Sequence, residues 1–177
     1  MKAGGTRGPL RTVALVLAIL ASAPAMAFAQ SMVIFVRHAE RADGGPGAGT
    51  GMTGTPADPL LSAAGKARAE KLATMLAESG VKAIYTSEFR RTQDTGKPLA
   101  AKLGLTITPV ASSDVNDLVK RIKADHPKDV VLIVGHSNTI PAAVKAFGGP
   151  AVKMADDEYS AIYIVTPATG AMTLIRY

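Results

Sequence analysis

Cysteine is absent from this sequence of 177 residues, and histidine occurs only three times. Without cysteine, disulfides, thiol nucleophiles and thiolate metal sites are excluded. No apolar run approaches the roughly 20 residues that a membrane-spanning helix needs, so we expect no span. The chain is 47% apolar and 19% charged, a composition that excludes a disordered protein and fits one domain.

Patterns of metal ligands are missing as well. The histidines are His38, His126 and His136, and no two of them have the spacing of helical metal ligands. We therefore expect neither a dedicated metal site nor a bound cofactor. His126 precedes a proline at a predicted helix end, where a histidine is usually at the surface.

Residues 1–29 have the pattern of a secretory signal peptide. Three basic residues precede the nine-residue apolar run Val13 to Ala21, and Ala27-Phe28-Ala29 then forms a small-x-small cleavage pattern. We expect cleavage near Ala29, a periplasmic or secreted location, and one mature domain over residues 30–177.

Removal of the signal peptide halves the excess of positive charge. The whole chain has a formal net charge of +6, whereas residues 30–177 hold 17 basic and 14 acidic side chains, a balance of +3. They also lack a cluster of Lys and Arg interleaved with aromatic residues. We therefore do not expect nucleic acid as a partner.

Short apolar runs alternate with helical patterns along residues 30–177, which favours a three-layer αβα sandwich with a doubly wound, mostly parallel sheet. Two apolar runs near the end, separated by Pro-Ala-Thr-Gly, predict a closing hairpin. The predicted strands are 32–36, 83–85, 105–108, 130–134, 161–166 and 171–176. The predicted helices begin at Ser62 and Ser87, each as an N-cap, at Asp114 and at about Thr139.

Residues 43–59 are rich in Gly, Thr and Pro, a composition that predicts a long flexible loop bordering the functional site. The sequence of residues 49–54 matches the Gly-x-Gly-x-x-Gly fingerprint of dinucleotide-binding proteins. They neither follow a strand directly nor open a helix, so the interpretation as a loop is preferred.

Charged and nucleophilic side chains follow three of the predicted strands. They lie in Arg37-His38, in Thr86 to Arg91 and in Gly135 to Asn138. Ligands of parallel sheets bind at the carboxyl ends of the strands, so we expect these groups to meet in a small cationic pocket. Guanidinium groups can neutralise phosphoryl oxygens, and a neutral imidazole can attack phosphorus. The pattern therefore favours phosphate chemistry.

Four motifs, in this order, resemble those of the histidine phosphatase superfamily, which includes acid phosphatases and cofactor-dependent phosphoglycerate mutases. Val36 to Glu40 is similar to its Arg-His-Gly-Glu signature, and Leu61 to Gly65 to its Leu-Thr-x-x-Gly segment. Tyr85 to Thr95 resembles its Ser-x-Leu-x-Arg-x-x-x-Thr helix start, and Val134 to Ser137 its second His motif.

The resemblance implies a metal-independent phosphatase that hydrolyses a small phosphomonoester or phosphohistidine-type substrate through a phosphohistidine on His38. Arg37, Arg91 and His136 would bind the phosphoryl group, with His136 also catalytic, and Glu40 would orient the pocket. The physiological substrate and the oligomeric state cannot be predicted from these motifs.

The motifs do not identify the residue that donates a proton to the leaving group. Many members of the family use a carboxylic acid, either about two dozen residues after the motif Arg or directly after the second His. Ser137 occupies the second of these places. Asp114 and Asp117 lie near the first, where each could equally cap or decorate a helix.

Two alternatives remain besides the phosphatase. The first is a phosphate-ligand-binding protein of the same fold with weak turnover. The second is a serine hydrolase using Ser137, because Gly135-His136-Ser137 nearly forms a nucleophile elbow. The final glycine of that elbow is missing, however, and no histidine follows Ser137 to act as its base.

Overall fold

The computed structural model describes Met1, residues 31–43 and residues 58–177. The predicted signal peptide beyond Met1, its cleavage position near Ala29, the 49–54 fingerprint and most of the predicted loop 43–59 lie outside the described residues. The six strands described are β1 Met32–Arg37, β2 Val81–Thr86, β3 Ile107–Pro109, β4 Val130–Gly135, β5 Ala161–Thr166 and β6 Ala171–Arg176. The four helices described are α1 Ala63–Leu76, α2 Arg90–Leu103, α3 Val115–Asp125 and α4 Thr139–Ala146.

The strands form one sheet in the order β3-β2-β4-β1-β5-β6. The strands β3, β2, β4 and β1 run parallel to one another, and β5 and β6 extend the sheet beyond β1 with antiparallel pairing. Parallel strands are joined by helices that cover both faces of a sheet, which explains why β1 and β4 are almost continuously apolar. The predicted sandwich with its C-terminal hairpin is confirmed.

Alternate residues of the central strands supply two separate apolar cores, one on each face of the sheet. On one face, Ile34, Ile84 and Leu132 belong to the same buried cluster as Leu72 and Leu99 of α1 and α2. On the other face, the buried cluster joins β1 and β4 to α3 and α4, and its members include Phe35, Ile133, Ile122, Ile140 and Val144. The sheet is thereby held rigidly between two helical layers, and the ends of its strands are fixed in position.

Two local predictions need correction. Ser87 does not cap α2: the capping position is Phe89, which makes no side-chain capping bond, and the helix starts at Arg90. The short edge strand β3 begins two residues later than predicted, at Ile107. By contrast, Ser62 caps α1 as expected, since its hydroxyl accepts from the Gly65 N–H.

The strand register brings the carboxyl ends of β1, β2 and β4 level with one another. Arg37 pairs with Gly135, and Thr86 pairs with Val134. The backbone N–H of His38 also donates to the Gly135 carbonyl at 2.9 Å. The residues directly after these three strands therefore emerge side by side at one edge of the sheet.

Candidate active site

His38 follows β1 and is 3% exposed. Its Nδ1 lies 2.8 Å from the carbonyl oxygen of Ala39, a contact that requires Nδ1 to carry the proton and leaves the lone pair on Nε2. Burial lowers the pKa of His38 to about 3, although the bond to Ala39 opposes this shift. The imidazole is thus neutral at pH 7, with Nε2 as its nucleophilic atom.

Arg37 is held from behind by the segment that precedes β5. Its Nη1 donates to the carbonyl of Asp156 at 2.5 Å and to that of Ala155 at 3.3 Å, and its guanidinium carbon lies 4.2 Å from the centre of the Tyr159 ring. Burial lowers the pKa of Arg37, but a guanidinium stays charged at neutral pH. Its Nε is buried without a hydrogen-bond partner.

Arg91 is the second residue of α2, where backbone N–H groups favour anions. Its guanidinium carbon lies 4.3 Å from the centre of the Phe89 ring, and its Nη1 is 3.6 Å from a carboxylate oxygen of Asp58. The same carboxylate accepts from the backbone N–H of Arg90. The Arg90 side chain is exposed, so Arg91 is the arginine of this pair that faces the site.

His136 follows β4 and is 8% exposed. Burial, together with the positive charge of Arg91, lowers its pKa to about 4. Its Nε2 lies 2.8 Å from the hydroxyl oxygen of Ser87, and its ring centre is 5.3 Å from that of His38. With Nε2 engaged by Ser87, Nδ1 is the nitrogen that can reach a ligand.

All four predicted site residues, Arg37, His38, Arg91 and His136, line one open cavity of about 260 Å³. The structure thus brings together two neutral imidazoles and two guanidinium groups from three different strand ends. Such a set can hold the oxygens of a phosphoryl group and present a nucleophile to its phosphorus.

One part of the chain matches a known protein family in sequence, and this part contains most of the residues that line the cavity. A profile of the histidine phosphatase superfamily (branch 1) matches residues 33–114. This stretch of 82 residues, a little under half of the chain, is similar to that superfamily. No curated protein sequence matches the chain significantly.

Solved structures with the same fold include phosphatases. A mycobacterial glucosyl-3-phosphoglycerate phosphatase superposes with a TM-score of 0.61 at 15% identity, covering 83% of this chain and 98% of that chain. The mycobacterial enzyme has also been solved with inorganic phosphate, with a TM-score of 0.61 at 15% identity, covering 83% of this chain and 96% of that chain. A protein from Agrobacterium tumefaciens, provisionally identified as the phosphohistidine phosphatase SixA, superposes with a TM-score of 0.59 at 21% identity, covering 82% and 96%.

Several residues besides the four predicted ones lie at this site. Arg41 adds a third guanidinium to the cavity and pairs with Asp43. Phe89 stacks edge-on against His136, with ring centres 5.4 Å apart, and Tyr159 lies 6.0 Å from His38. The only sequence signal for Arg41 was its place three residues after the motif histidine.

The carboxylates that the sequence motifs single out have partners outside the cavity. Glu40 accepts from Arg68 Nε at 2.8 and 2.9 Å, so it links the loop after β1 to α1. Asp114 caps α3 by accepting from the Asp117 N–H, and Asp117 pairs with Arg121. Neither Asp114 nor Asp117 lines the cavity.

Two further observations concern metals and membranes. Within residues 31–43 and 58–177, no cluster of three or more His, Asp or Glu side chains could hold a metal ion. No helix among the described residues is long and apolar enough to span a membrane.

His126 is partly buried rather than at the surface, with its side chain 22% exposed and paired with Asp129.

Proposed function

We propose that this protein is a phosphatase that hydrolyses small phosphorylated compounds through a covalent phosphohistidine on His38, with no metal ion. One observation carries the proposal: a buried, neutral imidazole with its lone pair on Nε2 lies in a cavity that also holds the guanidinium groups of Arg37 and Arg91. The fold shared with mycobacterial and bacterial phosphatases supports it.

In the first step, the Nε2 lone pair of His38 attacks phosphorus as the bond to the leaving-group oxygen breaks. Arg37, Arg91 and His136 bind the non-bridging oxygens and stabilise the charge on them in the transition state. In the second step, water attacks the phosphoryl group, the P–N bond breaks, and the electron pair returns to Nε2. Phosphate and the neutral imidazole are regenerated.

The cavity supports a small substrate in this proposal. A volume of about 260 Å³ accommodates a phosphoryl group with a modest leaving group, and the walls carry mainly charged and hydroxyl or amide side chains. The structurally similar phosphatases act on a glucosyl-phosphoglycerate and, by provisional identification, on phosphohistidine. We propose a polar phosphomonoester or a phosphohistidine as the substrate class.

Turnover of 4-nitrophenyl phosphate in the presence of a chelator tests the proposal. We expect the mature protein to hydrolyse this compound and His38→Ala to reduce the rate to background. His126→Ala is the matched control, because His126 lies away from the cavity beside Asp129 and should leave the rate unchanged. A His38→Ala variant with full activity would overturn the proposed mechanism.

The serine hydrolase is disfavoured by the surroundings of Ser137. Its hydroxyl donates to the carboxylate of Asp156 at 2.7 Å, and no histidine follows it in the sequence. Labelling of Ser137 by an organophosphonate probe would reverse this preference. The binding-protein alternative predicts phosphate binding without turnover, so the same phosphatase assay separates it from the enzyme.

We further propose that the protein acts in the periplasm or outside the cell. The proposal rests on the basic residues, the apolar run and the small-x-small pattern within residues 1–29. The amino terminus of the exported protein should be Gln30 or a close neighbour. Recovery of the uncleaved chain from the cytoplasm alone would contradict it.

A further inference from the structure

The segment between α4 and β5 brings a carboxylate to the cavity that the sequence motifs do not mark. Asp156 lines the cavity together with His38 and His136. Its carbonyl accepts from Arg37 Nη1, and its Oδ1 accepts from the hydroxyl of Ser137 at 2.7 Å. Its backbone and its side chain are therefore both tied to residues of the site.

Among the described residues, Asp156 is the only carboxylate that lines the cavity; Glu88 also accepts from a hydroxyl, that of Ser112, but does not line it. Asp43 forms an ion pair with Arg41, Asp58 lies beside Arg91, and Glu40 binds Arg68. The Asp156 side chain instead accepts from a neutral hydroxyl. Such a bond to one oxygen holds the carboxyl group in place in either protonation state, since Oδ1 can accept while Oδ2 carries a proton.

A carboxyl group beside a phosphate site is suited to proton transfer. The negative charge of a bound phosphoryl group favours the protonated form of a neighbouring carboxyl group. A protonated carboxyl can then donate to an oxygen on which negative charge develops. Asp114 and Asp117 cannot do this from their places on α3, because they cap that helix and pair with Arg121.

We propose that Asp156 is the proton donor to the leaving group, held in position by Ser137, and this inference rests on the proposed phosphohistidine mechanism. As the P–O bond breaks and the P–N bond to His38 forms, the proton of the Asp156 carboxyl moves to the departing oxygen. The resulting carboxylate then takes a proton from the water that attacks the phosphohistidine, which restores the acid.

Substrates that differ in the basicity of the leaving group test this role. Phenyl phosphate releases a more basic oxygen than 4-nitrophenyl phosphate, so its hydrolysis depends more on a proton donor. We expect Asp156→Asn to lower kcat/KM for phenyl phosphate by about 10²- to 10⁴-fold, the usual range for loss of a general acid, and to lower it far less for 4-nitrophenyl phosphate. Ser137→Ala should shift the ratio of the two rates in the same direction by a smaller factor.

Asp157→Asn is the matched control, because Asp157 is the adjacent aspartate, is exposed like Asp156, and does not line the cavity. It should leave both rates unchanged. If Asp156→Asn lowers both rates by the same factor, the side chain contributes only to the charge or shape of the site and not as an acid, and the inference is wrong. If the wild-type protein hydrolyses neither compound, or if His38→Ala matches the wild type, the proposed function itself fails, a result that these assays distinguish from the first.

Discussion

At the scale of single residues, the central feature is a pair of histidines that burial keeps neutral among positive charges. The pKa of His38 falls to about 3 and that of His136 to about 4, chiefly because both rings are removed from water. A protonated His38 would have no lone pair for phosphorus. The same burial that lowers the pKa therefore maintains the nucleophilic form of the site.

Ser87 gives a direct test of how His136 is oriented. Its hydroxyl lies 2.8 Å from His136 Nε2 and 2.8 Å from the Thr92 hydroxyl, so it connects the imidazole to the first turn of α2. We expect Ser87→Ala to reduce kcat/KM about 10- to 100-fold, since loss of a buried hydrogen-bond partner costs about 1–3 kcal/mol. Steady-state kinetics with 4-nitrophenyl phosphate measure this effect.

Ser79→Ala is the control for that substitution, because the Ser79 hydroxyl donates to the Leu76 carbonyl outside the cavity. It should leave kcat/KM unchanged. Equal activities of Ser87→Ala and wild type would show that the contact with His136 has no role in positioning the ring.

The site residues that could be predicted are those adjacent to strand ends in the sequence. His38 and His136 each directly follow a buried apolar run, so the parallel arrangement alone predicts their proximity. Asp156 could not be predicted in this way, because a loop returns it to the cavity 19 residues after its partner Ser137. Ser87 resembled a helix cap because local sequence does not show that α2 starts three residues later.

At the scale of elements, the contact between α1 and the loop after β1 explains one motif glycine. A Cβ atom on Gly65 would lie 2.2 Å from the carbonyl oxygen of Glu40. That same carbonyl accepts from the backbone N–H of Ser62 at 2.9 Å. The glycine thus lets the helix start pack directly on backbone two residues beyond His38.

Gly65→Ala should therefore destabilise the protein even though alanine is the better helix former. The gain in helix propensity is about 1 kcal/mol, whereas overpacking against backbone costs about 1–3 kcal/mol or more. We expect a net loss in the free energy of unfolding, measured by urea denaturation, and a lower kcat because the His38 loop shifts.

Gly96→Ala provides a comparison within α2. There a Cβ atom would lie 3.3 Å from a methyl group of Ile84, a side chain that can adjust, so the free energy of unfolding should change by less than about 1 kcal/mol. If Gly65→Ala were as stable as Gly96→Ala, the close packing of α1 on Glu40 would be refuted.

Most elements were predictable because their patterns are strong. The bounds of β5 and β6 match the prediction, since each is a short apolar run set off by turn residues. The edge strand β3 was misplaced because it is only three residues long and mostly exposed, so burial imposes little pattern on it.

At the scale of the whole molecule, the buried histidines make stability depend on pH. In the unfolded chain a histidine binds a proton below its ordinary pKa of 6.5, whereas in the folded protein the pKa values of His38 and His136 are lowered to about 3 and about 4. Above pH 6.5 both histidines are neutral in the folded and in the unfolded chain, so folding costs no deprotonation. Stability should therefore fall as pH decreases from 6.5, by at most about 1.4 kcal/mol per pH unit for each imidazole.

Urea unfolding at pH 7.5 and at pH about 5 measures this decline. The double variant His38→Gln, His136→Gln should show a smaller decline, because the variant lacks both buried imidazoles. A wild-type protein whose stability is the same at both pH values would contradict the burial of neutral histidines.

A phosphorylated form of the protein decides whether His38 is the nucleophile. Mature protein is mixed with 4-nitrophenyl phosphate and quenched in alkali, which preserves phosphohistidine, and the modified residue is located by tandem mass spectrometry. We expect an acid-labile phosphoryl group on His38 that forms and decays during turnover and is absent in His38→Ala. Phosphorylation of Ser137 or His136 instead, or turnover with no phosphorylated residue, would contradict the proposed mechanism.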